Sequence, residues 1–357
     1  MNITVTRGDR LTPELIDAWS SIQAANAAIA SPYFSPGFTR AAAVVRDDVY
    51  VAVIRQGPDL VGFFPFQRNR VGAGCPVAGF FSDFHGLILQ PGKQVEAREL
   101  ISACGLKIWD FDHLPADQET FRPFQRRADV SRYMDLTGGY DQYCAQRREA
   151  GSEQIKKVLA LRRKLQREVG SLTIRAHVQE DAMLQLMFQW KSSQYLATGF
   201  RDLFSFVWTK GLLEVLLKTQ SPTIAGMLSV LSVNGEPAAV HFGMRSPTVW
   251  HYWFPAYNTK FAKYSPGLIL LLGMAEQAPA MGIQRIDLGK GDELYKHRLA
   301  SGGIPVMEGS IEKPSVALVA RRFYQAAKHL LEGTAADWPA RLTLRKLRRL
   351  KAMLLRE

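Results

Sequence analysis

The sequence predicts an α/β protein made of two similar units. Three observations lead there. At 357 residues the chain exceeds the about 100–200 residues of one ordinary domain. Helical and strand-like patterns alternate along both halves. Turn-forming residues, Gly57-Pro58-Asp59 and Asn234-Gly235, separate adjacent strand-like runs. With 47% hydrophobic and 22% charged residues the composition suits packed cores, and it excludes disorder, collagen-like repeats and a small disulfide scaffold.

Residues 13–30 form a helical pattern behind Thr12, an N-cap candidate followed by Pro13 at the first helical position. A loop at 31–36 (SPYFSP) and a short helix at 36–45 follow. Runs 50–55 and 60–69 alternate like strands, and 87–89, 107–111 and 131–136 read as shorter ones. Beyond a basic helix, 171–177 is strand-like, 180–195 and 209–219 are helical, and 224–233, 236–245 and 248–255 form a meander. Asn234-Gly235 is the hairpin turn of its first pair. A helix at 265–278, a strand at 285–289 and a short helix at 293–299 complete the pattern. The expected units are 1–145, a helical arm at 146–170, 171–325, and a C-terminal helix at 326–357.

Charge is the informative part of the composition: 45 Lys and Arg against 33 Asp and Glu, formally +12. Residues 147–168 hold eight basic and three acidic side chains, with Ile155, Val158, Leu159, Leu161 and Leu165 as a narrow apolar stripe. Residues 341–357 hold seven basic and one acidic, with leucines every three or four positions. Each reads either as a solvated helix docking its stripe or as a surface for an anionic ligand, a membrane or RNA. No nucleic-acid motif accompanies them. Three scattered cysteines without a Cys-x-x-Cys pair support neither a zinc site nor a disulfide framework, and no metal is expected. The first residues lack an apolar leader and no run approaches membrane-spanning length, so a cytoplasmic protein is expected, with 341–357 touching the inner membrane face.

The chemistry concentrates in 250–303. A strand runs into a loop with Lys260 and Lys263, then into a helix opened by Ser265-Pro266-Gly267 and Leu268. Ser265 suits an N-cap, and Gly267 leaves the helix end open. Free amides and the positive end of the helix dipole make such a start a candidate anion site.

Strand, loop, glycine-bearing helix start, helix, strand ending in Asp and a short helix with a central Tyr resembles the core of GNAT acyltransferases. The wording is most similar to the CelD/BcsL-type (BioF2-like) acetyltransferases linked with bacterial polysaccharide biosynthesis. The matching residues are Tyr257, Ser265-Pro266-Gly267, Gly282, 287–291 (DLGKG) and Tyr295-Lys296, with 31–36, 82–85 and 132–136 in the first half. The resemblance extends to the Fem-type peptidoglycan aminoacyltransferases, which pair two GNAT-like domains, carry a helical arm and take an aminoacyl group from tRNA. The stretch 262–267 departs from the usual acyl-CoA loop by keeping one glycine, and Pro266 removes an amide donor.

The resemblance implies two tandem GNAT-like domains, each a mixed sheet flanked by helices, with a bridging basic helix. It implies acyl-CoA, acetyl-CoA in particular, as co-substrate, bound by Lys260, Lys263, Ser265, Gly267 and Leu268. Tyr295 would protonate the leaving group, and Lys296 would support the carbonyl oxygen or the donor phosphate. Asp287 would receive the acceptor amine. In the first half Asp83 and His85 lie on an aromatic-flanked loop, with His85 a candidate base near neutral pH. His241 and His251 fall inside the meander and read as strand-packing residues. The expected activity is transfer of an acyl group to an amine on a sugar, sugar nucleotide or glycan precursor. Its alternatives are an aminoacyl-tRNA-dependent transferase and a non-catalytic scaffold of the same fold. No hydrolase elbow, HExxH or phosphate-loop motif competes.

Overall fold

The computed structural model describes residues 1–312; the expected basic helix at 341–357 and the unit at 326–357 lie outside the described residues. The first half runs β1 (Asn2–Arg7), α1 (Pro13–Ala24), α2 (Pro36–Val45), β2 (Val49–Gln56), β3 (Asp59–Arg68), β4 (Ala73–Cys75) and β5 (Ile88–Leu89). It ends with α3 (Ala97–Ala103), β6 (Ile108–Pro115) and β7 (Gln125–Asp135). Helices α4 (Gly139–Glu149) and α5 (Gln154–Glu168) lead into β8 (Leu172–Val178), α6 (Asp181–Ala197) and α7 (Val207–Lys218). The meander β9 (Ala225–Val233), β10 (Glu236–Arg245) and β11 (Val249–Tyr257) comes next. Then follow α8 (Pro266–Gln277), β12 (Arg285–Lys290), α9 (Leu294–Leu299) and β13 (Gly302–Glu312).

The fold is mixed α/β, with two helix-flanked halves of one sheet. Strand order is β1-β2-β3-β4-β6-β13-β7-β12-β11-β10-β9-β8, with β5 pairing β3. Two features weld the halves. β7 of the first half pairs antiparallel with β12, placing Tyr133 opposite Asp287. β13, the last described strand, returns to lie between β6 and β7, antiparallel to both.

Local chemistry explains the helices. The Thr12 hydroxyl accepts the Leu15 N–H at 3.5 Å and Pro13 opens α1, which buries Trp19 and Ile22. The expected helix at 13–30 stops at Ala24, and 27–29 form a separate 3-10 turn capped by Asn26. The expected single basic helix is two, because Gly151 takes the left-handed conformation (φ +77°) between α4 and α5. α5 seats Ile155, Val158 and Leu165 in the second-half core. Ser265 does not cap α8 with its hydroxyl. It adopts φ +53° and instead offers its carbonyl to the Leu268 and Ile269 amides.

Two cores each sit mainly in one half, around Trp109 and Phe64 in the first and around Trp250 and Leu271 in the second. A third is shared, packing Trp19, Phe34, Phe38 and Phe63 with Leu212, Leu216, Phe242 and Phe254.

Candidate active site

β11 and β12 lie parallel but pair over three positions only, the last being His251 opposite Asp287. Beyond it β11 continues to Tyr257 along β10 alone. The two strands therefore part, and a β11 edge of about six residues, roughly 20 Å, leads from their last pair toward the start of α8.

The side chains at the parting point form a charged array. In β12, Ile286 and Leu288 face the second core, so Asp287 between them faces the opposite way and is fully buried. Its Oδ1 accepts the Ser131 hydroxyl and the Gly289 N–H, both at 2.8 Å, while Oδ2 has no partner among the described residues. A bulge between Asp287 and Gly289 re-aims the strand here. Gly289 has φ +74°, and a Cβ on it would stand 3.5 Å from Asp83 Oδ2.

His251, also fully buried, puts Nε2 2.9 Å from Asp83 Oδ2 and Nδ1 3.8 Å from Asp287 Oδ1. Burial works to raise the Asp83 pKa, but the His251 hydrogen bond and the charges of His251, His113 and Lys296 bring it below the usual carboxylate range. An ionised Asp83 accepts, so Nε2 of His251 carries the proton and Nδ1 the lone pair. The Tyr33 ring stands edge-on to the imidazole at 5.0 Å, with its buried hydroxyl unpartnered among the described residues.

The residues singled out in the sequence divide. Asp83 and Asp287 meet at His251, and Lys296 lies close enough for its charge to lower the Asp83 pKa. Lys296, on α9, is nearly buried; its Nζ donates to Lys290 O at 2.7 Å and pairs with Glu293 at 3.1 Å. Tyr295 packs against the second core, and burial together with the Glu293 charge raises its pKa, so it keeps its proton at neutral pH. His85 lies on the same loop as Asp83, but its Nε2 accepts the amides of both Asp112 and His113 at 3.2 Å. Burial lowers its pKa to about 3. A lone pair committed to two amides is no base, so His85 holds backbone in place.

His241 is a packing residue, stacked on Tyr252 at 4.3 Å and accepting the Trp253 N–H. His251 is buried within its strand as expected and in addition meets Asp83 through Nε2. Sequence reasoning passed over Ser131, Asp112, His113 and Lys191. Lys191 reaches from α6 to Pro255 O at 3.3 Å, and burial lowers its pKa to about 8 despite the Glu293 charge. The helix start lies apart, at the far end of β11. Lys260 pairs with Glu236 and Lys263 with Glu168, both at the surface. Gly267 has open space around its Cα, and its N–H has no partner among the described residues.

Cysteine chemistry is disfavoured because burial pushes the Cys75 and Cys104 thiols up to about 12. Among the described residues no three His, Cys, Asp or Glu side chains converge as metal ligands do.

A model of the GNAT acetyltransferase domain matches residues 152–297, the stretch from α5 to α9 that contains the parting strands. Solved structures extend the likeness of fold across both halves of the chain. FemX is similar over 90% of this chain and 99% of its own, at 9% identity and a TM-score of 0.57. The C-terminal domain of a protein assigned as a lysylphosphatidylglycerol synthetase, from Agrobacterium fabrum, covers 86% of this chain and 94% of its own, at 14% identity and a TM-score of 0.51. No curated protein matches the chain in sequence.

Proposed function

We propose that this GNAT protein transfers an acyl group from a thioester to an amine, with His251 as general base. The observation that carries the reading is the fully buried His251 between Asp83 and Asp287, at the point where β11 and β12 part. Asp83 fixes the imidazole tautomer, so Nδ1 takes the proton that the amine loses as its nitrogen attacks the carbonyl carbon. The imidazolium then lies between two carboxylates. Asp287 Oδ2, buried and without a partner among the described residues, suits an ammonium or its developing charge. Tyr295 holds a proton for the leaving thiolate, as its raised pKa supports.

Acyl-CoA is the donor we propose, its acyl arm extended along the β11 edge and its phosphates at the α8 start. The residues there fit an anion: the Gly267 N–H has no partner among the described residues, and Lys260 and Lys263 sit in surface ion pairs worth about 0–1 kcal/mol, which an incoming phosphate can displace. Ser265 and Leu268 would flank it. Partly exposed Trp253, its ring 6.4 Å from that of His251, supports an acceptor with a sugar-like face, the amine of an amino sugar, sugar nucleotide or glycan precursor in cell-envelope synthesis. A cytoplasmic enzyme with 341–357 on the inner membrane face belongs to this proposal. So does the division into 1–145, 146–170, 171–325 and 326–357.

Acetyl-CoA should raise the melting temperature of the full chain, by about 2.7 kcal/mol of stabilisation at 100 times its Kd. Gly267→Trp should abolish that shift. With acetyl-CoA and glucosamine as probes, His251→Asn should lower kcat about 10²–10⁴-fold without changing the shift. A variant with the full rate removes His251 as the base. A loop at 262–267 that keeps one glycine and loses an amide donor at Pro266 favours a second reading, an aminoacyl-tRNA donor. No shift with any thioester, together with ribonuclease-sensitive activity, would establish that donor instead.

A further inference from the structure

We infer that His113 and Asp112 form the proton exit from the buried base, a role that rests on the reading of His251 above. Transfer of an acyl group from a thioester to an ammonium yields an amide, a thiol and one proton per turnover. His251 cannot release that proton to water directly, because no part of its side chain is exposed.

The array continues past Asp83. Its Oδ2 meets His251, and its other oxygen, Oδ1, stands 3.7 Å from His113 Nε2. His113 Nδ1 is 3.0 Å from Asp112 Oδ1. Side-chain exposure is 0% at His251, 25% at Asp83, 13% at His113 and 53% at Asp112, the most exposed member of the series. The series ends in solvent.

The backbone is built to hold this geometry. β6 pairs β13 through Phe111 and again through Leu114, but the register shifts between them, opposite Glu308. Asp112 and His113 therefore leave the ladder, and His85 Nε2 takes both of their amides in its place. Lys290 clamps the same kink by donating to Asp112 O at 3.2 Å while pairing with Glu308 at 2.9 Å. A break in a strand that two separate side chains repair turns His113 toward Asp83.

The step balances. His251 receives the amine proton on Nδ1 and gives up its Nε2 proton to Asp83. Asp83 turns its carboxyl and passes a proton to His113 Nε2, closing the 3.7 Å gap by about 0.7 Å. His113 releases its Nδ1 proton to Asp112 and so to water. The charged and titratable groups facing His113 are Asp83 and His85 from the loop, Asp112 on its own strand, Lys290 from β12 and Glu308 behind that lysine. Burial works against a charged His113, but the Asp112 hydrogen bond and the Asp83 charge raise its pKa above the ordinary imidazole value. His113 and Asp112 touch neither substrate; both act through Asp83.

The test follows the proton itself. In the full-length protein labelled with ¹⁵N-histidine, water exchange of the His251 Nε2 proton is measured by NMR without any substrate. In His113→Gln, exchange should slow by at least about tenfold, and added free imidazole should restore it by replacing the missing carrier. Asp112→Asn should slow it in the same sense, and serves if the first variant does not fold. With acetyl-CoA and glucosamine, kcat should fall and recover with imidazole while both KM values stay fixed. Unchanged exchange in both variants overturns the exit route, as does a loss that imidazole leaves untouched. A His251→Asn protein with full activity overturns the base assignment and not the route, so the two failures are separable.

Discussion

His85 shows how one side chain's surroundings decide between chemistry and support. It titrates near 6.5 in the unfolded chain and at about 3 when buried, so between those values the unfolded chain binds a proton that the folded protein does not. Stability therefore falls as pH drops through this window, by up to about 1.4 kcal/mol per pH unit, and the loss is complete below about pH 3. Urea midpoints from pH 7 to 4 should fall more steeply for the wild type than for His85→Asn. Parallel curves would show that His85 is not held neutral. Asp83 works at a different pH: its folded pKa lies below its unfolded one, so its contribution is present at neutral pH and fades only as acid protonates the carboxylate. Two loop residues two positions apart thus carry opposite duties.

At the level of helices and strands, α5 separates its apolar and basic faces cleanly. Ile155, Val158 and Leu165 enter the second core, while Lys156, Lys157 and Arg163 face water. Leu165→Ala should cost about 2–5 kcal/mol, because a fully buried leucine leaves a cavity. Lys157→Gln with Arg163→Gln should leave the denaturation midpoint unchanged. A midpoint shift in the double variant would mean that the basic face is structural. The described helix therefore follows the docking reading of its sequence, and its charged face remains open to a ligand. The β11–β12 pair makes the complementary point. Three paired positions followed by divergence create an edge that no helix pattern could supply.

The two halves share strands as well as a core. β13 fills the gap between β6 and β7, and the central core draws on α1 and α2 as well as α6 and α7. Cutting the chain between the halves would expose apolar surface on both sides and leave β6 and β7 without the strand between them. Calorimetry should accordingly show one cooperative transition for the described body, with calorimetric and van't Hoff enthalpies in agreement. Two resolved transitions would mean that the shared core contributes little. The active array depends on the same union, since Asp83, Asp112 and His113 come from one half and His251, Asp287 and Lys296 from the other.

Local periodicity and turn chemistry were enough to read the α/β class, the meander with its Asn234-Gly235 hairpin, and α8 with its proline start. Residue type on a short aromatic-flanked loop marks Asp83 as a candidate, and the resemblance marks Asp287 and Lys296; the structure brings Asp83 and Asp287 to His251. The proposed base was hidden because His251 sits in an apolar strand, where alternation reads as packing, and its partner Asp83 is 168 residues away. Asp112 and His113 were hidden in the same way, inside a strand whose break appears only when β13 lies beside it. β13 itself (GGIPVMEGSIE) has the glycines and proline of a loop, and becomes a strand by filling a gap between two others. Local preferences act over a few residues and can be read one segment at a time. Which carboxylate meets which imidazole is settled by strand pairing across more than a hundred positions, and only the folded chain brings those groups within hydrogen-bond range.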